Sequence, residues 1–584
     1  MSGPEHRRPG LVPPTLRGYR KGWLRGDLVA GLTVWAVLVP ESIAYATLAG
    51  APPITGLYAA PAALALYALF GGSRQLVVGP MSTTAVLSAG IVAAVSGGGA
   101  DAATLTAGLA VVAGAVAMVA GLLRLGFLAS FVSEPVMKGF ITGLALTIVV
   151  GQLPALFGVD GGDGEFFGKL WGLVTALGQT HVPTLAIGAL SVVGILVLRR
   201  FLPLVPAALL AVAAGVAATV LLGLDGHGVD IVGTLPSGLP PLGLPDLSLS
   251  QYGALVGGGT AVALLGFAEG FGAAKTYAAR TGDRIDGNRE LFGMGAANLA
   301  SGFGSGMVVN GSLSKTAVNA GAGSRSQVSG LTAALFTVLT LLFLTGLFEK
   351  LPEAVLAAVV ITAVVELVDL RAIRELYRVA TPGLRAAYGA TARADFISAV
   401  GAMFGVLLFG TLQGLLIGVG LALLLLLYRA SRPNIAELGR VAATVGDVRP
   451  QWEDLARDSG NRPEPGVVVL RVEGGLFFAN AAWVHDRAVA EAKDPKTRAV
   501  VLDAQTVPFV DLTAARMLRR LSDDVRGAGG RLLLAHGIGQ VRDLLDTPED
   551  VFATVEEAVR AAGRDDARDE RGPDAPDGPA TPAG

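Results

Sequence analysis

Three ionisable side chains stand inside long uncharged runs: Glu41 in "VPESIAYATLAG", Glu269 in "ALLGFAEGFGAAK" and Lys315 in "GSLSKTAVNAGAG". A charge in hydrocarbon is costly, so each should face a partner or a wet cavity and mark the path of an ion or proton. A carboxyl group in a poorly hydrated cavity holds its proton more firmly than in water and can load and release it near working pH. Glu269, and with it Glu41, are therefore the expected proton carriers. The competing reading is a structural ion pair of Glu41 or Glu269 with Lys315. Tyr45, one helical turn after Glu41, is placed to line the same cavity. The chain has no cysteine, and its five histidines are scattered through tails and loops. That excludes thiolate metal sites and thiol nucleophiles, and no nucleophile, base and orienting group can be assembled. The chemistry expected is transport rather than catalysis, with no cofactor, no metal and no nucleic acid.

These residues need apolar elements to hold them. The 584 residues are 52% hydrophobic and 16% charged, with a mean hydropathy of +0.58, a balance that belongs in a membrane. Eighty glycines suit close helix packing in a bilayer and the joints of broken helices. Uncharged runs of about 20 residues, enough to cross ~30 Å of hydrocarbon, recur from Leu28 to Tyr428. They divide into roughly fourteen spans starting near residues 28, 54, 76, 102, 131, 183, 204, 252, 287, 307, 327, 352, 394 and 413. Residues 1–26 are basic and Pro-rich, without an apolar segment or cleavage site, and read as a cytoplasmic tail.

With the N-terminus inside, alternate loops should be basic. Those loops carry Arg74, Arg124, Arg199 with Arg200, the group from Lys275 to Arg289, Arg325, and the group from Arg371 to Arg393. The intervening loops carry Asp101, then Asp160 with Asp163 and Glu165, then Asp225 with Asp230, and Glu349. An even number of spans returns the chain to the cytoplasm at Arg429. The expectation is a multi-pass plasma-membrane protein, embedded in lipid over residues 27–430, with both termini cytoplasmic.

The membrane part repeats. "VVGPMSTTAV", residues 77–86, and "VNGSLSKTAV", residues 309–318, match at six of ten positions with an offset of 232 residues. Seven spans per half is an odd number, so the halves, 27–224 and 252–430, must face opposite ways. Inverted repeats with Gly- or Pro-interrupted segments at matching positions point to a secondary transporter with its site at mid-bilayer. Extended backbone at that depth needs water, protein or ligand for its N–H groups, and a helix starting there aims partial positive charge at what precedes it. Val77–Gly79 and Val308–Asn310 are the expected extended pieces, with Pro80 and Gly311 introducing half-helices. Ser82, Ser312 and Ser314 would supply hydroxyl and N-cap donors, and Lys315 a full charge, for an anion.

After Arg432 short β-branched runs, "GVVVLRVE", "RAVVLDAQTV" and "RLLLAHG", alternate with helical patterns, which reads as a small soluble α/β domain over 438–562. Residues 563–584 have little to bury and are expected to be disordered.

The segments "VPESIAYATLAGAPPITGLYAA", "GGSRQLVVGP", "AAKTYAARTGDRIDGNRELFGMGAANLASGF" and "GSLSKTAVNAGAG" resemble the signature segments of the sulfate permease (SulP) family of anion transporters. The C-terminal domain is similar to that family's STAS domain. The resemblance implies a helical membrane domain of seven plus seven spans, in which core spans 1–4 and 8–11 move against gate spans 5–7 and 12–14, and often a homodimer. It also implies an anion held between the third and tenth spans, with the first and eighth completing the pocket. The positions it marks are Glu41, Tyr45, Met81, Ser312, Leu313, Ser314 and Lys315.

Many members carry Gln where this chain has Glu41, and Arg where it has Lys315. An acid beside an anion site implies protonation on binding, and Lys is a point charge rather than a planar fork. Bicarbonate members place Asp, and Thr one turn later, at a sodium site in the eighth span; Glu269 and Ala273 stand there here, which favours protons. In the STAS domain Asp511 and Thr513 of "VDLTAARML" occupy places comparable to the phosphorylatable loop of antagonist proteins, with Thr513 either a regulatory site or a helix cap, and a cytosolic partner could dock there. The leading expectation is a proton-coupled importer of a small anion, with sulfate first, then bicarbonate, then a dicarboxylate such as fumarate. The alternatives are an uncoupled exchanger or channel on the same fold, and a membrane-tethered STAS signalling scaffold.

Overall fold

The computed structural model describes residues 13–16, 18–96, 100–127, 133–162, 164–202, 205–365, 374, 391–441, 451–456, 460–536 and 550–569. Of the basic loop expected around 371–393, Arg371, Arg378 and Arg385 lie outside these residues, as do residues 1–12 of the expected tail and 570–584 of the other. The chain divides into two compact units at Leu423.

The first unit is built from helices α1 (Leu24–Leu48), α2 (Ile54–Phe70), α3 (Ser82–Val95), α4 (Ala102–Leu122), α5 (Glu134–Phe157), α6 (Phe166–Ala176), α7 (Val182–Phe201) and α8 (Ala207–Leu222). They are followed by α9 (Leu249–Thr281), α10 (Gly287–Phe303), α11 (Leu313–Gly321), α12 (Val328–Phe343), α13 (Glu353–Val365), α14 (Thr391–Phe409) and α15 (Thr411–Ser431). Six described helices have the length and apolarity to cross a bilayer by themselves, and shorter apolar helices accompany them. A helix begins near every expected start. The addition is α6, whose Phe167, Trp171 and Val174 are exposed. It begins at none of the expected starts, so the count passes over it and the expected eighth and tenth spans correspond to α9 and α11. Helix α9 also runs through Lys275 and Arg280, which the sequence placed in a loop; Ala-rich turns carry the helix past the apolar run to Gly282, whose positive φ of 73° ends it.

Two groups of helices emerge. In one, α10 packs on α4 and α2, α4 on α9, and α12 on α1 and α2; in the other, α5 packs on α14 and α13, and α7 on α13 and α8. Without a hydrophobic difference between lipid and side chain, small residues decide how near helices come. A β-carbon on Gly295 of α10 would stand 2.8 Å from the Gly114 carbonyl of α4, and one on Gly139 of α5 would stand 1.9 Å from the Ala399 carbonyl of α14.

Two pairs of loops expected on the same side are joined by hydrogen bonds. Gln75 Nε2 donates to the Ser324 carbonyl at 2.7 Å and Gln327 Nε2 to those of Ser73 and Leu76, joining loops expected on one face. On the other face Val232 N–H donates to the Leu351 carbonyl, Glu353 N–H to that of Asp230, and Lys350 pairs with Asp225.

The second unit holds a six-stranded sheet in the order β4-β3-β5-β6-β7-β8, with β1 and β2 kept for two short strands of the first unit, Val77–Gly79 and Asn310–Ser312. Strands β5 (Val467–Glu473), β6 (Ala499–Asp503), β7 (Arg531–Ala535) and β8 (Val551–Phe552) are parallel, and β3 (Asn434–Arg440) runs antiparallel to β5 and β4 (Trp452–Asp454). Alternate residues face opposite layers. Leu470, Val500 and Leu502 meet α16 (Ala481–Ala492) and α17 (Leu512–Gly527), while Val469, Val501 and Leu533 meet α18 (Val555–Asp569). Helix α18 runs on to Asp569, so the stretch from residue 563 expected to be disordered begins as helix; Val555, Ala558 and Val559 give it an apolar face to bury.

Candidate functional site

The two broken segments meet. Strands β1 and β2 pair antiparallel, Val77 opposite Ser312, Val78 opposite Gly311 and Gly79 opposite Asn310, all buried. The first extended piece lies where the sequence put it. The second lies two residues later, so Gly311 is a strand residue rather than the start of a half-helix. The reason is local: Ser312 is the N-cap of α11, its Oγ accepting from Lys315 N–H at 3.2 Å, and a cap must have extended backbone. Helix α3 starts after Met81, whose extended backbone precedes it without a side-chain cap. Pairing satisfies many of the strand amides that a break exposes. Beyond this pairing stands the first turn of each of α3 and α11, where N–H groups have no intrahelical acceptor.

Several contacts fix this crossing. Asn298 of α10 pairs with the backbone of Val309 in both directions, at 2.9 Å each. Val77 N–H donates to Thr316 Oγ1 at 3.0 Å and Asn319 Nδ2 to the Gln75 carbonyl at 2.8 Å. A β-carbon on Gly311 would stand 2.8 Å from the Gly270 Cα, so α9 crosses β2 at a glycine pair.

Lys315 and Glu41 form an ion pair of 2.7 Å, with the lysine side chain 1% and the glutamate 5% exposed. Lys315 Nζ also donates to the Pro80 carbonyl at 3.0 Å and lies 5.1 Å from the Tyr45 ring centre. One ammonium thereby joins α1, the entry to α3, and α11. Glu269 sits apart from it: its Oε2 accepts from Thr83 Oγ1 and Asn310 Nδ2, both at 2.9 Å. Ser82 is buried, Met81 half-buried, and Ser314 and Leu313 are exposed; Ser314 Oγ is 3.2 Å from Ser312 Oγ.

The residues named from the sequence in the membrane unit thus gather at the ends of α3 and α11 and on the facing turns of α1 and α9. Thr513 stands in the second unit, exposed in the first turn of α17, and it is not the cap: Asp511 accepts from Ala514 N–H at 2.8 Å and from Phe478 N–H at 2.8 Å. Aspartate at the start of the helix outcompetes a threonine inside its first turn.

Sequence reasoning placed Asn310 in an extended piece and Pro80 at a helix start but did not see them as partners of Glu269 and Lys315, since neither carries a charge to draw attention. It also missed two fully buried carboxyls near helix ends. Asp27 accepts from the Arg325 and Ser326 N–H groups and from Ser326 Oγ, and Glu290 accepts from Tyr67 OH and from Gly72 N–H at 2.8 Å. Both stand in the first turns of their helices, where an acid normally reads as a solvated end. Among the described residues no group of His, Cys, Asp and Glu could hold a metal ion.

This arrangement has known counterparts. Residues 24–390 match the sulfate permease family and residues 462–558 the STAS domain. A probable sulfate transporter of Mycobacterium tuberculosis is 36% identical over 568 residues, covering 95% of this chain and 98% of its own. High affinity sulfate transporter 1 of Stylosanthes hamata is 28% identical over 585 residues, covering 94% and 85%. The structure of SLC26A9 superposes with a TM-score of 0.82 at 22% identity over 95% of this chain and 93% of that one, a likeness of fold. The transmembrane domain of the cyanobacterial bicarbonate transporter BicA gives 0.58 at 25% identity over 69% and 99%. The chain therefore belongs to the sulfate permease family, as a multi-pass anion transporter with a C-terminal STAS domain, and not to the enzymes.

Proposed function

We propose that this protein imports a small anion together with a proton, by alternating access, with the anion held between α3 and α11. The observation that carries this reading is the charge count of the site: one ammonium, Lys315, stands against two carboxyls, Glu41 paired with it and Glu269 held apart by Thr83 and Asn310. Fully ionised, that set is net negative and repels an anion, and Lys315 is already paired. A proton on Glu269 leaves the set neutral overall, so anion and proton enter together. Sulfate is the first candidate, since relatives of similar length are named sulfate transporters. Bicarbonate follows from the BicA likeness, and a dicarboxylate is third.

The inverted repeat is supported by packing, for α4 meets α9 and α10 as α12 meets α1 and α2. The two helix groups are the candidates for core and gate. Placement in the plasma membrane with cytoplasmic termini, and assembly as a homodimer, complete the proposal. The test is uptake into proteoliposomes. An inward proton gradient should drive accumulation of labelled sulfate in the wild type and not in Glu269→Gln. Equal uptake with and without the gradient would replace symport by exchange or channel behaviour.

A further inference from the structure

A cavity of about 270 Å³, lined mostly by apolar groups, shares α1 with the anion site, and none of the residues assigned above lines it. Its walls are Ala44 and Thr47 of α1, Gln152 and Ala155 of α5, Lys169 of α6, and Glu353 at the start of α13. At ~30 Å³ per water molecule it has room for an anion with part of its hydration shell. Ala44 stands one helical turn after Glu41, the partner of Lys315, so one turn of α1 separates a wall of this cavity from the site. All its walls belong to the face on which α1 ends and on which Lys350 meets Asp225.

Lys169 is half-buried, and among the described residues no carboxylate pairs with it. The acid one turn earlier, Glu165, which could neutralise it at i, i+4, is turned away. Its Oε1 lies 2.9 Å from where a β-carbon on Gly410 would stand. Glu353 shares the cavity and is not within pairing distance of the lysine. In this mostly apolar recess, where water screens little, the unpaired ammonium with an amide and a hydroxyl beside it attracts an anion before its dehydration at the deeper site, against the one carboxylate, Glu353, that shares the cavity.

We propose that this cavity is an antechamber in which Lys169, assisted by Gln152, holds the anion on its way to Lys315 from the non-cytoplasmic side. The proposal rests on the anion-transport reading given above and adds a separate subsite to it. Helix α6 then has a reason to exist as a short element outside the expected spans: it hangs a cation over the entrance.

Because the chain has no cysteine, Lys169→Cys carries the only thiol and permits a charge test at one atom. In proteoliposomes, the variant should need roughly three- to tenfold more external sulfate for half-maximal uptake with little change at saturation. A methanethiosulfonate bearing trimethylammonium should restore the wild-type value, and one bearing sulfonate should raise it further. External sulfate should slow both modifications. Modification rates indifferent to sulfate, together with uptake indifferent to the charge at position 169, would overturn the antechamber while leaving transport intact. If the wild type accumulates no sulfate, the transport reading fails, yet protection of the thiol by sulfate still decides whether the subsite exists.

Discussion

Lys315 neutralises one acid in a place that water scarcely reaches, and its neighbours follow from that. Removing the ammonium leaves Glu41 buried without a partner, which costs about 3–5 kcal/mol. Lys315→Met should therefore lower the unfolding temperature in detergent markedly, whereas Glu41→Gln with Lys315→Met should recover most of the loss. Glu269→Gln imitates the protonated site. Wild-type sulfate affinity should tighten as pH falls, by at most ~10-fold per pH unit for one coupled proton, and in Glu269→Gln it should become independent of pH. Thermal shifts with sulfate at about pH 5.5 and about pH 7.5 read both effects. The three membrane charges were legible in the sequence because each breaks an apolar run. Asn310 and Thr83, which hold Glu269, were not singled out as its partners because an uncharged amide and hydroxyl are unremarkable until the fold places them beside a carboxylate.

At the scale of elements, the β1–β2 crossing is held by close backbone approach. A methyl group at Gly311 would press on the Gly270 Cα and on Leu76, so Gly311→Ala should destabilise by about 1–3 kcal/mol and abolish uptake by parting α9 from β2. Thermal unfolding and uptake measured on the same preparation check both. The breaks in the helices were legible in Gly79, Pro80 and Gly311. Their pairing was not, since register between strands far apart in the chain depends on what Asn298 and Thr316 impose from other helices. Helix α6 escaped notice because its aromatic residues read as part of a loop between spans.

The whole molecule joins a membrane unit to a soluble one, and each offers a test. In the STAS domain burial works to lower the pKa of His485, but hydrogen bonds and charge from Asp524 at 2.8 Å and Asp486 at 3.2 Å outweigh it and hold the imidazole above the usual 6.5. Folding thus favours the protonated ring: this contribution is complete below the unfolded value and disappears as pH rises through the folded one. The stability of the domain, followed by its own circular dichroism transition, should fall as pH rises across this window, and His485→Gln should flatten that dependence. For the membrane unit, the absence of cysteine permits a clean sidedness map. Ser237→Cys should react with an impermeant maleimide in intact cells, and Arg284→Cys only after permeabilisation.

Composition alone determined that this chain lives in a bilayer, and the STAS pattern determined its second domain, while the alternation of loop charge and the doubled "VGP"/"NGS" phrase supplied the expectation of its spans and its duplication. Those signals are local: each residue's cost in lipid, and each period of apolar residues, is fixed by its own neighbours in sequence. Only the tertiary structure decided that Lys315 belongs to Glu41 rather than Glu269, that the two breaks form one small sheet, and that Lys169 overhangs a second cavity. Those outcomes depend on which helices approach closely enough for a 2.7 Å contact, and that is set by packing between segments hundreds of residues apart.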